Sequence, residues 1–335
     1  MAGGSKTAVY AAIGANTLVA IAKLAGFFLT GSGAMLSEGI HSIADVGNQA
    51  LLAVGIRHSE KEPDADHPYG YGRAQFSWAL ISAVGIFFLG CGVTVMHGIH
   101  SILHPETPED LTAAFVILAL SFVIEGATFL VALKAVQDQS RQAGLSMLEY
   151  IKDGPDPMGV AVLIEDSAAC IGIVIAAIAL VIADITQNGV WDGVGSICIG
   201  ALLGALAIFL IRKNKDYLLD RSMDPVKRDS LIAAIAEHEA VEGVDDVKAT
   251  VLGANTARFK AEVDFDGHVI AANALEGMDL EAIWASVNTE EEMRAFLIEF
   301  GESLLHQLDI EESDIEDKMR EIAPELEHID LEADE

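Results

Sequence analysis

The sequence predicts an all-α membrane bundle of six transmembrane helices followed by a small α+β domain. Three observations carry this reading. Of 335 residues, 52% are hydrophobic and the mean hydropathy is +0.38, yet the formal net charge is −31. Few single domains combine these properties, so the chain should divide. Six apolar segments, each about 20 residues or longer and so able to cross a bilayer, lie in the first two thirds. From Leu218 to the end there are 32 Asp and Glu against 9 Lys and Arg, a local net charge of −23. The reading is a membrane domain over residues 1–215 and an acidic soluble domain over 216–335.

The spans run roughly over 8–30, 34–56, 76–103, 111–135, 158–183 and 191–211. The joins Thr30–Gly33, His104–Asp110 and Asp184–Val190 are short and hold no Lys or Arg. The joins 57–75 and 136–157 hold Arg57, Lys61, Arg73, Arg141 and Lys152; Lys6 precedes the first span, and Arg212, Lys213 and Lys215 follow the last. The positive-inside rule then puts both termini in the cytoplasm. Lys23, deep in the first span, must snorkel or pair within the bundle. MAGGSKTAVY lacks a charged region leading to a small-residue cleavage site, so the first apolar run is read as a retained span.

In the tail, Asp224–Pro225 reads as an N-cap with Pro at the first helical position, opening a helix to about Glu239. Gly243–Leu252 and Thr256–Phe265 read as strands joined by a turn at Gly253-Ala254-Asn255. In the second strand Ala257, Phe259, Ala261, Val263 and Phe265 alternate with charged residues, as on a half-buried strand. Thr289 and Glu292 form a capping box before a long helix to about Leu308, and Leu326–Leu331 reads as a last strand. The order αββαβ suits a small ferredoxin-like sheet with helices on one face.

The acid is spread along the whole tail, and Lys is scarce. That pattern reads as adaptation to high salt, where a short Debye length lowers the self-repulsion of such a surface. A metal-attracting surface is the alternative. The sign of the charge argues against nucleic-acid binding. Cys91, Cys170 and Cys198 each lie in an apolar run without a CxxC pair and read as small buried hydrophobes.

The second span carries the chemistry. Glu38, His41 and Asp45 lie at spacings of three and four, on one helical face that Asn48 extends. An ionisable residue in a membrane helix costs roughly 2.5–3.5 kcal/mol on insertion scales, so each must face a partner, water or an ion. An imidazole and a carboxylate one turn apart can hold a divalent metal such as zinc. The expected activity is therefore movement of a metal ion across a membrane. An intramembrane hydrolase would need a zincin-type motif, and no HExxH occurs. His97, His100 and His104 form a second stripe that reads as structural; His238, His268, His306 and His328 are scattered over the tail.

Taken together, GSGAMLSEGIHSIAD in the second span, DADHPYGYGR in the following loop, the six-span plan and the αββαβ tail resemble the cation diffusion facilitators. That family comprises exporters of zinc, manganese, cobalt and iron, and the resemblance covers nearly the whole length. It implies a homodimer in the cell membrane that exchanges outgoing metal for incoming protons, with no organic cofactor and no enzymatic activity. It also implies a transport site built from two residues of span two and two of span five, spaced by four. His41 and Asp45 match the first pair, and Asp166 matches the second acid of span five. The position one turn before Asp166 is Val162, which cannot bind metal; Glu165 is the substitute, and Glu125 in span four an alternative fourth ligand. Glu38 is assigned to an exit path, a proton relay or support of the ligands. In the loop, Asp64 and His67 match two ligands of a further family site, whose third position is Tyr71 here. The implied cargo is Zn²⁺, with Mn²⁺, Co²⁺ or Fe²⁺ as alternatives; a non-transporting membrane metal sensor is the rival reading.

Overall fold

The computed structural model of the chain describes residues 2–105, 111–142, 144–153, 157–253 and 256–334, and of residues 2–12, 15, 153, 157 and 158 the backbone alone. Two compact units emerge, Met1–Leu219 and Asp220–Glu335.

The first unit consists of long helices. They are α1 (Ala2–Thr30), α2 (Gly33–Ser59), then α3 (Ala74–Gly85), a π-helical stretch (Ile86–Val93) and α4 (Thr94–Leu103), then α5 (Thr112–Gln142), the short α6 (Met147–Asp153), α7 (Pro157–Thr186) and α8 (Val190–Leu218). Among the described residues, the helices over Ala74–Leu103, Thr112–Gln142, Gly159–Thr186 and Val190–Leu218 are long and apolar enough to cross a membrane. Helix α1 contributes a further apolar stretch, Asn16–Thr30, interrupted by Lys23, while α2, which carries Glu38, His41 and Asp45, is the less apolar of the two. The outer surface is studded with Leu18, Phe28, Phe88, Leu120, Val131 and Ile185, while Lys23, Glu38 and His41 are buried. That inversion is what a lipid solvent demands.

Two expectations about boundaries need adjusting. The third span, read as one regular helix, changes to π geometry at Ile86–Val93. IFFLGCGV is apolar throughout, so no periodicity marks the change of pitch. Helix α5 extends to Gln142, beyond residue 135, and part of the join at 136–157 folds as α6, where Ser146 and Glu149 bond each other's backbone N–H. Helices α4 and α8 approach closely at Gly98 and Gly193, where a Cβ on either would lie 2.9 Å from the other's carbonyl oxygen.

The second unit has one three-stranded sheet, in the order β1 (Val241–Val251), β2 (Ala257–Phe265), β3 (Leu326–Ala333). Strands β1 and β2 are antiparallel, β2 and β3 parallel. Ala257, Phe259, Ala261 and Val263 are buried, as their alternation required. They meet Leu231 and Ile235 of α9 (Pro225–Ala236) and Ile315 and Met319 of α12 (Glu290–Ile322). Arg258 and Lys260 instead pair across the sheet with Asp330 and Glu332. The capping box at Thr289 and Glu292 and the N-cap at Asp224 form as read. Helix α12 continues to Ile322 rather than ending near Leu308, and α10 (Gly267–Glu276) and α11 (Leu280–Ser286) precede it. The turn expected at Gly253-Ala254-Asn255 falls partly outside the described residues.

Candidate metal site

The face of α2 is set by how the helix begins. Ser32 is the N-cap and accepts from the Met35 N–H at 3.2 Å. Asp192, from the first turn of α8, accepts from the Ser32 hydroxyl (2.8 Å), the Ala34 N–H (3.0 Å) and the Gly33 N–H. A buried carboxylate thus satisfies amides that a helix start leaves orphaned and complements its dipole. Asp192 was missed in the sequence, although it too is an acid inside an apolar span.

From that fixed start the stripe descends into the bundle. Glu38 is fully buried, and its Oε2 accepts from Lys23 Nζ at 2.8 Å. Lys23 Nζ also donates to Glu125 Oε1 at 2.7 Å, so the lysine pairs within the bundle and does not snorkel. Glu125 is thereby held by Lys23. The remaining oxygens, Glu38 Oε1 and Glu125 Oε2, have no hydrogen-bond partner.

One turn on, His41 is buried and neither ring nitrogen has a hydrogen-bond partner. Its Nε2 lies 3.6 Å from Asp45 Oδ1. On α7, Gly172 approaches the His41 ring, whereas Asp166 shares a hydrogen bond with Thr128 of α5. Asn48, three residues past Asp45, donates its side-chain amide to both oxygens of Glu165, at 2.9 and 3.0 Å. Glu165 and Val162 lie on one face of α7 and together line a cleft with Asn48, Leu52, Gln75, Lys213 and Asn214. This cleft lies toward the end of α2 that carries Arg57. Within it the Gln75 side-chain nitrogen is buried and unpartnered.

The structure therefore brings His41 and Asp45 together and seats Glu165 with Asn48. It holds Glu38 and Glu125 in an ion triad with Lys23, with the second Glu38 oxygen left beside Gly172, close to the His41 ring. Among the described residues no three His, Cys, Asp or Glu side chains converge closely enough to hold a metal ion.

The loop residues form a self-contained turn. Asp64 accepts from the Tyr71 hydroxyl at 2.7 Å and from the His67 backbone N–H at 2.8 Å. His67 Nδ1 is 3.5 Å from Asp64 Oδ1, and the His67 and Tyr71 rings sit 4.2 Å apart. The Tyr71 hydroxyl bond, then the His67 amide, hold the Asp64 carboxyl below its ordinary range. The turn is thus intact at neutral pH and weakens only in acid. Tyr71 occupies the third corner with a hydrogen bond rather than a ligand. Tyr71→His is expected to add one equivalent of Zn²⁺ binding to the full chain, measured by equilibrium dialysis; an unchanged stoichiometry would show that Asp64 and His67 are not placed for metal.

Residues 9–219 match the model of the cation efflux transmembrane domain. Over 98% of its length the chain is 42% identical to the proton-coupled zinc antiporter SLC30A9, mitochondrial, of Xenopus laevis, covering 59% of that protein. It is 40% identical to the human protein of the same name, covering 58% of it. Identity to metal tolerance protein C4 of Arabidopsis thaliana is 38%, again over 98% of the chain and 73% of the relative. The chain thus spans about three fifths of the length of these animal relatives.

Proposed function

The chain belongs to the cation efflux family, whose members are transport proteins rather than enzymes, and we propose from that premise that it exports a divalent cation, Zn²⁺ foremost, in exchange for protons. One observation carries this reading: His41 is buried with both ring nitrogens unpartnered, beside Asp45. A buried imidazole without a hydrogen bond is costly unless something binds it. Similarity to a proton-coupled zinc antiporter and a metal tolerance protein favours transport over sensing.

In this mechanism the cation enters by the cleft beside Asn48 and Glu165. Those residues replace part of its hydration shell with oxygen ligands. It then passes to His41, Asp45 and Asp166, with Glu165 completing the set as the bundle closes. A metal binds only the deprotonated imidazole nitrogen, so protons and metal compete for such a ligand. Metal loads with proton loss, and protons occupy the emptied site for the return. The six long helices of the first unit are the six spans. The basic residues Arg57, Lys61, Arg141 and Lys152 put the cleft and both termini on the cytoplasmic side of the cell membrane. The second unit, an αββαβ-type sheet domain with two added helices, serves as the dimerisation and regulatory module of a homodimer.

Reconstituted protein tests the whole reading. Zn²⁺ flux in proteoliposomes is expected to reverse with an imposed proton gradient. Flux indifferent to the gradient removes the coupling, and the absence of flux removes the function.

A second reading, export of Mn²⁺, Co²⁺ or Fe²⁺, is favoured by the ligand set, which has one nitrogen and three carboxylates. Such a set discriminates less sharply between Zn²⁺ and Mn²⁺ than two imidazoles and two carboxylates. Val162→His with Glu165→Leu is expected to shift competition flux toward Zn²⁺ by about tenfold or more. Unchanged selectivity, together with a Glu165→Gln variant of wild-type KM, would remove Glu165 from the site.

The acidic second unit is read as salt-adapted, its −23 charge tolerable only when screened. The thermal transition of the purified protein is expected to fall as KCl drops from molar to tens of millimolar. A salt-independent transition would instead favour a specific role for the acid.

A further inference from the structure

The Lys23 triad leaves two features unexplained. Glu38 Oε1 and His41 Nδ1 are both buried and unpartnered, and they face the same point in front of α7. That point is Gly172: a Cβ there would overlap Glu38 Oε1 and lie 3.5 Å from His41 Nδ1. The Glu38 carboxylate thus packs directly on the bare backbone of Gly172, and any larger residue would push it away. Gly172 is helical and has no positive φ to explain it, so the missing side chain serves close approach rather than backbone conformation.

The two nitrogens of His41 thus face two different carboxylates. Nε2 faces Asp45. Nδ1 faces the Gly172 backbone on which Glu38 Oε1 packs, one turn nearer the end of α2 capped by Asp192. Lys23 holds Glu38 through Oε2 only, which aims the other oxygen at Gly172. We propose that Glu38 Oε1 and His41 Nδ1, both unpartnered and brought near one another over the bare backbone of Gly172, form a second divalent-cation subsite on the exit side of the transport site. One imidazole nitrogen, one carboxylate oxygen and water make a hard, weakly held set suited to release. The cation steps from the Nε2 side of the ring to the Nδ1 side, and Lys23 acts as the positioning residue that keeps Glu38 in reach.

This inference rests on the transport reading, and its test separates the two. In proteoliposomes the KM for Zn²⁺ reports loading at His41 and Asp45, while kcat reports the onward step. Gly172→Ala displaces the Glu38 carboxylate without changing charge. Glu38→Gln removes the carboxylate but still accepts from Lys23. Each is expected to lower kcat about tenfold or more, with KM within about twofold of wild type. A variant that merely loosened packing would change the thermal transition and KM together. If Gly172→Ala does not assemble, Glu38→Gln with a wild-type transition carries the test. Wild-type kcat in either assembled variant overturns the subsite. Failure of the transport reading has another signature: wild-type protein moves no Zn²⁺, and Asp45→Asn binds it as tightly as wild type.

Discussion

His41→Ala and Asp45→Ala are each expected to reduce metal flux to the level of empty liposomes, a loss of about two orders of magnitude or more, while the protein still assembles. The structure explains why function and folding separate here. His41 makes no hydrogen bond, so its removal orphans no partner. Asp45 meets His41 only at 3.6 Å, too long for a strong pair. Neither side chain holds the bundle together, and the unpartnered His41 ring is a stability cost that a ligand would offset. Size-exclusion behaviour and the thermal transition should remain close to wild type. Normal flux from either variant would remove the site, and collapse of both variants would make the pair structural.

Lys23→Met should do the reverse. Its ammonium bridges α1 to Glu38 on α2 and Glu125 on α5, with lysine and Glu38 almost wholly buried. Removing it leaves two carboxylates buried without a counter-charge. Breaking a buried pair from one side destabilises by about 3–5 kcal/mol, enough to prevent assembly of many proteins. Adding Glu38→Met and Glu125→Met removes the stranded charges and is expected to recover most of the loss, because the three residues act as one unit. Recovery is read as folded yield and melting temperature in detergent, not as transport. Lys23→Met with a wild-type transition would show that the triad contributes nothing to assembly.

Much of this architecture was legible because lipid and charge leave strong marks. Glu38, His41 and Asp45 stand out in an apolar run, and their spacing fixes a shared face before any fold is known. Lys23 was legible as a residue in need of a partner, though choosing Glu38 and Glu125 required the three-dimensional bundle. Helix α12 was cut short for a physical reason. Its second half, DIEESDIEDKMREI, is so acidic that the apolar positions Ile315 and Met319 are hard to see, yet both are buried against the sheet. The pairs Asp314–Lys318 and Glu316–Arg320 line its outer face. Helix α10 was missed although Asp266 caps it, since Asp-Gly reads equally as a turn. Gly172 had no signal at all: the close approach a glycine permits, here of the Glu38 carboxylate, depends on what faces it. Glu165 stood out as a second acid beside Asp166, but its bond to Asn48 depends on how α7 is rotated against α2.

The clamp on α2 also has a consequence in time. Asp192 follows Ser32 by 160 residues. At synthesis rates of about 5–20 residues per second, α2 waits roughly ten to thirty seconds for the carboxylate that satisfies its first amides. Lys23 and Glu38 are only 15 residues apart, whereas Glu125 follows Lys23 by 102. The nascent α1–α2 hairpin can therefore cancel one charge against the other on leaving the ribosome, before any later helix exists. The order of birth is neutralise first, clamp last. The hairpin can enter the bilayer as a self-compensated pair, and its final seating waits for the last span.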